Sequence, residues 1–427
     1  MAGGVRPSVA IVGGGWAGLA AAVELADAGH PVTLYEAARQ LGGRARTVDW
    51  HGIAIDNGQH LMAGAYTATL ALMERLGTSG HLERRRLEFH GPGFRLKLPD
   101  LPAPLHLAVG LLAARGLGLA DKIAAARFMS SLKTLGFRLD QDQTAVELLR
   151  RHKQPEWLIA RLWQPICLAA LNTPLDIASA QVFCNVLRDS LAGPRAASDL
   201  LFNRGDLGRA LPEAARAYVE ARGGTVRLAS TVTRIALEDA RFRLDGPDAL
   251  VDRVILASHP RRVADLLRDL PGLHELRAGM QGYAWQPILT LWLRFAAPIA
   301  LPYPMIALGH GDAPWAFERN DLAPGLASIV ASAEGRHLER PKDTLCRGWL
   351  SRLERQAGPL PELLDWQVIT EKRATFACTP GLWRPDHRTA VPGLYLAGDY
   401  TAGDYPATLE GAVRSGVKCA QLILEST

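Results

Sequence analysis

The sequence predicts an α/β fold in which a Rossmann-like dinucleotide-binding domain, assembled from separated stretches of chain, is interleaved with an α+β substrate domain. Three observations carry this expectation. Residues Val9 to Glu36 read as strand, glycine turn, helix and strand; Val251–Ala257 (VDRVILA) reads as a buried strand in mid-chain; and the segment from Gly393 to Leu424 reads as strand, turn and helix. A single parallel sheet accommodates all three, because parallel strands are joined by crossovers and can be gathered from distant segments.

The first unit is the most informative. After the apolar run Val9–Val12, Gly13, Gly15 and Gly18 make G-x-G-x-x-G. Gly13 permits the tight turn, Gly15 lets backbone approach a pyrophosphate, and Gly18 lets helix and strand pack closely. Trp16 and Ala17 open the helix that follows, whose free N–H groups and positive dipole end suit phosphate. The second strand, Val32–Tyr35, ends at Glu36, eighteen residues after Gly18, where a carboxylate can accept hydrogen bonds from ribose hydroxyls. The motif alone is weak in a chain with 41 glycines, but the strand, Ala-rich helix, strand and acid follow in the required order.

With 427 residues, the chain is too long for one ordinary core, and two domains are expected. The nucleotide-binding domain is placed at residues 1–79, 206–262 and 386–427, and the substrate domain at 80–205 and 263–385. Within the former, Leu207–Arg222 shows helical periodicity closed by Gly223-Gly224, and Thr225–Leu228 and Val232–Ala236 read as short strands. The first insertion is expected to be largely helical. The second contains Pro287–Phe295 (PILTLWLRF), apolar at the strand period. In the stretch 101–135, an apolar run (LHLAVGLLAA) precedes Gly116, Gly118 and an amphipathic segment with Lys122, Arg127 and Lys133. Ten apolar residues cannot span a bilayer. Two readings remain open for this stretch: a face that dips into lipid with its cations at the headgroups, making peripheral membrane contact, or a helical hairpin packed within the second domain.

Hydrophobic residues make up 48% of the chain and charged residues 21%, which are globular values that argue against disorder. Cys167, Cys184, Cys346, Cys378 and Cys419 are scattered, without metal-ligand spacing, so no metal site is expected and buried free thiols are. A net charge of +5 comes from arginines dispersed among acids, without interleaved aromatics, and no nucleic-acid partner is expected. With the first strand beginning near Val9, no room remains for a cleavable signal peptide, so the expectation is a cytoplasmic protein, at most peripheral on the inner face of the membrane.

Downstream segments discriminate between cofactors. Leu41–Arg46 (LGGRAR) sets Gly43 and Arg44 soon after the ribose acid, where amides and a guanidinium can reach a pyrophosphate or a flavin. Asp56–His60 (DNGQH) adds a compact polar turn containing Gly58 and Gln59. Near the C-terminus, GLYLAGDYTAGDYPATLEGAVRSG supplies Gly398 for backbone approach and Asp399 as an acceptor for ribityl hydroxyls. The helix start near Leu409 and Ala412 can aim amides at a flavin pyrimidine. This pattern favours FAD over a nicotinamide nucleotide.

Taken together, these segments resemble the amine oxidase and phytoene desaturase superfamily of FAD enzymes over essentially the whole chain. By motif position, the resemblance implies that the amide of Val232 contacts adenine. DNGQH, YAWQPILTLWLRF at Tyr283–Phe295 and the C-terminal segment are similar, more narrowly, to the hydroxysqualene dehydroxylases. That likeness implies a long-chain isoprenoid substrate, hydroxysqualene, reduced to squalene by hydride from reduced FAD. Amine oxidases of the superfamily carry a lysine on a substrate-domain strand. Here no lysine occurs between Lys153 and Lys342, and the matching strand begins Trp285-Gln286-Pro287, which puts amine oxidation in doubt. His60, Asp404 and Tyr405 are the candidates for protonating the departing oxygen. His60 could equally fix backbone, Asp404 cap a turn, and Tyr405 pack before Pro406. Tyr400 and Tyr405 are also candidates to flank the substrate. No second nucleotide-binding unit is found, so an external electron donor is expected. A polyene desaturase on the same scaffold and a non-catalytic flavin-bound lipid carrier are the alternatives.

Overall fold

A computed structural model describes residues 6–309 and 314–426. Five parallel strands form the nucleotide-binding sheet, in the order Thr225–Arg227, Val32–Tyr35, Val9–Val12, Arg253–Leu256 and Leu394–Leu396. Val9–Val12 lies at its centre and is buried along its whole length. This explains the unbroken apolar run, since a strand of a covered parallel sheet has no solvent face. The helices Trp16–Asp27 and Leu409–Leu424 pack against each other, bringing the two ends of the chain together. Their contact is close enough that a Cβ on Gly416 would sit 2.0 Å from the Ala17 carbonyl oxygen.

Several elements differ from the sequence expectation, each for a local reason. The mid-chain strand is two strands. Ala249–Val251 pairs in an antiparallel three-stranded sheet with Arg241–Asp245 and Arg234–Glu238, while Arg253–Leu256 joins the parallel sheet. The break falls at Asp252, whose carboxylate accepts from the Ser8 amide (2.8 Å) and hydroxyl (2.7 Å). The expected helix Leu207–Arg222 is divided into Leu207–Ala210 and Pro212–Glu220. Leu211 leaves helical geometry at φ −142°, because a residue preceding proline is pushed out of the α region. Pairing of the strand expected at Val232–Ala236 begins at Arg234, leaving Val232 in the preceding loop.

The second sheet is antiparallel, ordered Met305–Ala307, Trp315–Glu318, Leu326–Ser332, Trp285–Phe295 and Leu363–Phe376. Period-two alternation in its long strand sends Leu289, Leu291 and Leu293 into a core shared with Leu345, Trp349 and Leu353 of the helix Lys342–Ala357. Thr290 and Trp292 take the other face. The first insertion opens with the strands Leu82–Arg85, Glu88–Gly91 and Phe94–Lys97 and closes with Leu200–Asn203, and is helical between them; its stretch 101–135 forms the helices Leu105–Ala113 and Leu119–Thr134. No described helix is long and apolar enough to cross a membrane. All five cysteines are free and buried.

Any side chain at Gly416 separates the two terminal helices. Gly416→Ala is expected to lower stability by about 2–3 kcal/mol, as overpacking of a fixed core does, and chemical denaturation of the wild type and variant measures it. An unchanged midpoint would mean that the two helices part without cost.

Candidate functional site

The glycine turns supply the floor of the site. Gly13 has φ +120°, a conformation that L side chains rarely adopt, and a Cβ there would lie 2.5 Å from the Ala257 carbonyl oxygen. At Gly18 the same atom would lie 2.0 Å from the Gly13 oxygen, so strand and helix close on each other only without side chains. Gly15 caps the helix Trp16–Asp27 in extended geometry, leaving the first N–H groups facing outward. Trp16 and Ala17 are buried behind it, and the Trp16 Nε1 has no partner among the described residues.

The second glycine pair folds onto the first. Gly42 donates its N–H to the Gly14 oxygen (2.9 Å), and a Cβ on Gly43 would sit 3.2 Å from the Gly15 Cα. Glu36 is held in place by the amides of Gly14 and Ala38, each 2.7 Å from one of its carboxylate oxygens. The carboxylate is therefore oriented, and each oxygen retains a lone pair for a ribose hydroxyl. Ser230 donates its N–H to the Glu36 carbonyl (2.9 Å), which brings the loop containing Val232 to this edge. The Val232 side chain is buried, and its carbonyl accepts from Arg262 at 2.6 Å.

Arg44 joins the two ends of the chain. Its guanidinium donates to the Asp399 carboxylate at 2.6 Å, across 355 positions of sequence, and to the Ala374 carbonyl at 2.8 Å. Asp399 is nearly buried, and its backbone oxygen accepts from Arg384 at 2.6 Å. Arg384 also holds the carbonyls of Gly403 and Tyr405, both at 2.7 Å, and so laces the turn that follows Gly398. Gly398 is needed beside Tyr400, whose ring would lie 2.3 Å from any Cβ at that position. Leu409 begins the last helix, capped by the Thr408 hydroxyl accepting from the Gly411 amide, and Ala412 follows one turn later. Glu410 is fully buried and accepts from the Ala68 and Thr69 amides (3.0 and 2.9 Å), capping the helix Thr67–Arg75 from a distant segment.

The DNGQH turn lies against the second sheet. Gln59 accepts from Arg319 (2.9 Å), and Gly58 lies beside Thr290. Asp56 accepts from the Leu207 amide, and burial raises its carboxyl to about 7 despite Arg319 at 3.8 Å. His60 Nε2 and Thr290 Oγ1 are buried without partners among the described residues. Burial first, then the charges of Arg44 and Arg319, push the His60 imidazole down to about 4, so it is neutral at pH 7. His259, stacked on Trp285 at 4.2 Å, is likewise pushed down to about 4 by burial and by Arg44.

The three candidate acids are not brought together. Asp404 is 70% exposed, with Arg188 3.7 Å away, and forms part of a solvent-facing turn. Tyr405 is half-buried beneath the Arg414 guanidinium, and burial raises its phenol well above the ordinary value. Tyr400 is fully buried with its hydroxyl unpartnered among the described residues, while Tyr283 donates to its carbonyl at 2.9 Å. Thr408, Glu410, Arg384, Arg319 and the His259–Trp285 stack were missed by sequence reasoning. Only Thr408, a hydroxyl residue just ahead of an apolar-periodic run, carried a local signal.

This donor set fits a flavin dinucleotide. It combines a backbone cradle closed to Cβ atoms, an oriented carboxylate at Glu36, a helix start from the distant end of the chain, and polar atoms between two sheets that lack partners among the described residues. Residues 16–424 match the family model of flavin-containing amine oxidoreductases. The chain belongs to that family. It is an FAD-dependent oxidoreductase, and the cradle of Gly13, Gly15, Gly18 and Gly43, with Glu36, Arg44 and Asp399, would hold the cofactor. The chain is 31% identical to a hydroxysqualene dehydroxylase of Sinorhizobium fredii, over 98% of this chain and 99% of the relative. It is also 31% identical to one of Rhodopseudomonas palustris, over 98% of each. Among solved structures, a putative protoporphyrinogen oxidase from Exiguobacterium shares the fold, with a TM-score of 0.69 at 21% identity over 98% of this chain and 99% of that one.

A histidine whose pKa is depressed on folding contributes stability that is present above its unfolded value, 6.5, and lost as pH falls through that value toward 4. In that window His60 steepens acid destabilisation by up to about 1.4 kcal/mol per pH unit. His60→Gln should therefore lose less stability than the wild type between pH 7 and pH 5 in denaturant titrations. Equal losses would mean that His60 titrates alike in the folded and unfolded chain.

Proposed function

We propose that this family member reductively removes the hydroxyl of hydroxysqualene, an allylic C30 alcohol, to give squalene. The carrying observation is the full-length similarity, at 31% identity, to two relatives described as hydroxysqualene dehydroxylases. Two features of the chain support the reading. The strand start where amine oxidases of the superfamily place a lysine is Trp285-Gln286-Pro287, with Trp285 stacked on His259. An apolar cavity lined by Phe89, Phe94, Ala307 and Trp315 lies beside the second sheet, as an isoprenoid chain requires.

In this reaction the C–O bond breaks, a C–H bond forms, and the oxygen leaves as water with a proton drawn from solvent. Bound FAD, in its reduced form, supplies the hydride. The chain's own residues exclude water from the allylic centre and engage the departing hydroxyl. Of the three candidate acids we favour His60, whose Nε2 is buried without a partner among the described residues. Held neutral, it acts as a hydrogen-bonding imidazole. Tyr405, protonated at neutral pH, is the second candidate, and Asp404 the third. An external donor would supply the electrons.

The test is anaerobic. Photoreduced, FAD-loaded protein is mixed with hydroxysqualene while flavin absorbance and product mass are followed. Stoichiometric reoxidation with squalene formed is expected, and His60→Ala should slow it about 10²-fold or more. A flavin that stays reduced beside intact alcohol would overturn the proposal. Oxidised protein introducing double bonds into a polyene would then identify a desaturase.

A further inference from the structure

The helix Leu105–Ala113 is inside out. Its exposed positions are Leu105, Ala108, Val109, Leu112 and Ala113, spaced as one helical face and all apolar. Its protein-facing side carries His106 and Gly110, and a Cβ on Gly110 would lie 2.6 Å from the Leu98 side chain, so the helix is seated tightly on the strand Phe94–Lys97. The next helix, Leu119–Thr134, grades along its length. Leu119, Ala120, Ile123 and Ala126 are exposed in its first half, and Arg127, Ser130 and Lys133 in its second. Six of the thirteen large apolar side chains exposed among the described residues fall between Leu105 and Leu135, which marks a patch rather than the scattered exposure normal for a soluble surface.

Charge and position indicate what covers it. Across 105–135 the cations are Arg115, Lys122, Arg127 and Lys133, against the single acid Asp121. Lys122 donates to the Leu112 carbonyl and so ties the two helices at their turn. From Ile123 to Arg127 the helix rises about 6 Å, which matches the depth at which an interfacial helix passes from acyl chains to headgroups. Behind the turn, Arg115 and Arg95 exchange backbone hydrogen bonds at 2.9 and 3.1 Å. Both arginines line a cavity of about 360 Å³ that shares Gly91 and Phe94 with the apolar cavity of about 280 Å³.

We propose that the hairpin formed by Leu105–Ala113 and Leu119–Thr134 is a monotopic docking face for an anionic phospholipid bilayer, its apolar stripe sunk to acyl depth and its cations at the headgroups. Docking there sets the cavity edge at Arg95 and Arg115 against the membrane, where an apolar substrate dissolves. The inference does not depend on which lipid is transformed.

Flotation of the full-length, FAD-loaded chain with vesicles of phosphatidylglycerol and phosphatidylcholine (1:1), against phosphatidylcholine alone, tests it. Binding to the anionic vesicles is expected, weakened by salt. The Leu105→Gln/Leu112→Gln/Leu119→Gln variant should bind about tenfold more weakly or worse, and Arg127→Gln/Lys133→Gln should remove the preference for anionic lipid. Flavin absorbance and the thermal midpoint report that each variant is folded. A folded wild type that ignores anionic vesicles would overturn the proposal, as would a triple variant that binds them unchanged. Light scattering that shows a wild-type dimer broken by the triple variant, without vesicle binding, would give the patch to a second copy of the chain.

Discussion

The ion pair between Arg44 and Asp399 is the contact on which the rest of the site depends. It fastens the segment after the second strand to the turn before the last helix, and it also engages Ala374 on the long strand Leu363–Phe376. One guanidinium therefore links the nucleotide-binding sheet, the C-terminal helix and the second sheet. Arg is suited to this by its planar fork of donors, which a lysine cannot reproduce. The same charge also depresses the two neighbouring histidines. The guanidinium that joins the two ends of the chain thus adds to burial in keeping both imidazoles neutral.

The backbone repeats this logic in steric form. Gly13, Gly18 and Gly43 each stand where a Cβ would strike a backbone atom or come unusually close to one, so backbone from two loops can close on itself at once. Gly416 does the same for the terminal helices, and Glu410 reaches across to cap a helix more than 300 residues earlier in the chain. These contacts are long-range. They form only once the three separated segments have met.

Legibility followed that distinction. Local periodicity and turn chemistry showed the glycine turn, the strand ending at Glu36, the alternation of Pro287–Phe295 and the C-terminal helix start, because each is dictated by neighbouring residues. The splitting of Val251–Ala257 was not legible, since what interrupts it is Ser8 reaching the Asp252 carboxylate from the other end of the chain. The break at Leu211 was readable from Pro212 and was passed over in favour of the apolar pattern. Arg384 and Arg319 carry no sequence signal at all, because an arginine in a loop looks alike whether it laces three carbonyls or faces water. Among the candidate acids, only burial separated His60 from Asp404. Pattern could not, as both stand in polar turns. The stretch 101–135 remained open in the sequence for a related reason, since apolar residues on a helix read the same whether they face a core or a bilayer.

The central claim is that Arg44 and Asp399 act as one unit in holding the cofactor. A double-mutant cycle on the FAD dissociation constant tests it most directly, using Arg44→Ala, Asp399→Asn and the double variant. Coupling predicts that the double variant binds FAD little worse than the weaker single variant, with an interaction energy of about 1–3 kcal/mol. Losses that simply add would contradict the claim, and would mean that each residue meets the cofactor, or the fold, independently of the other.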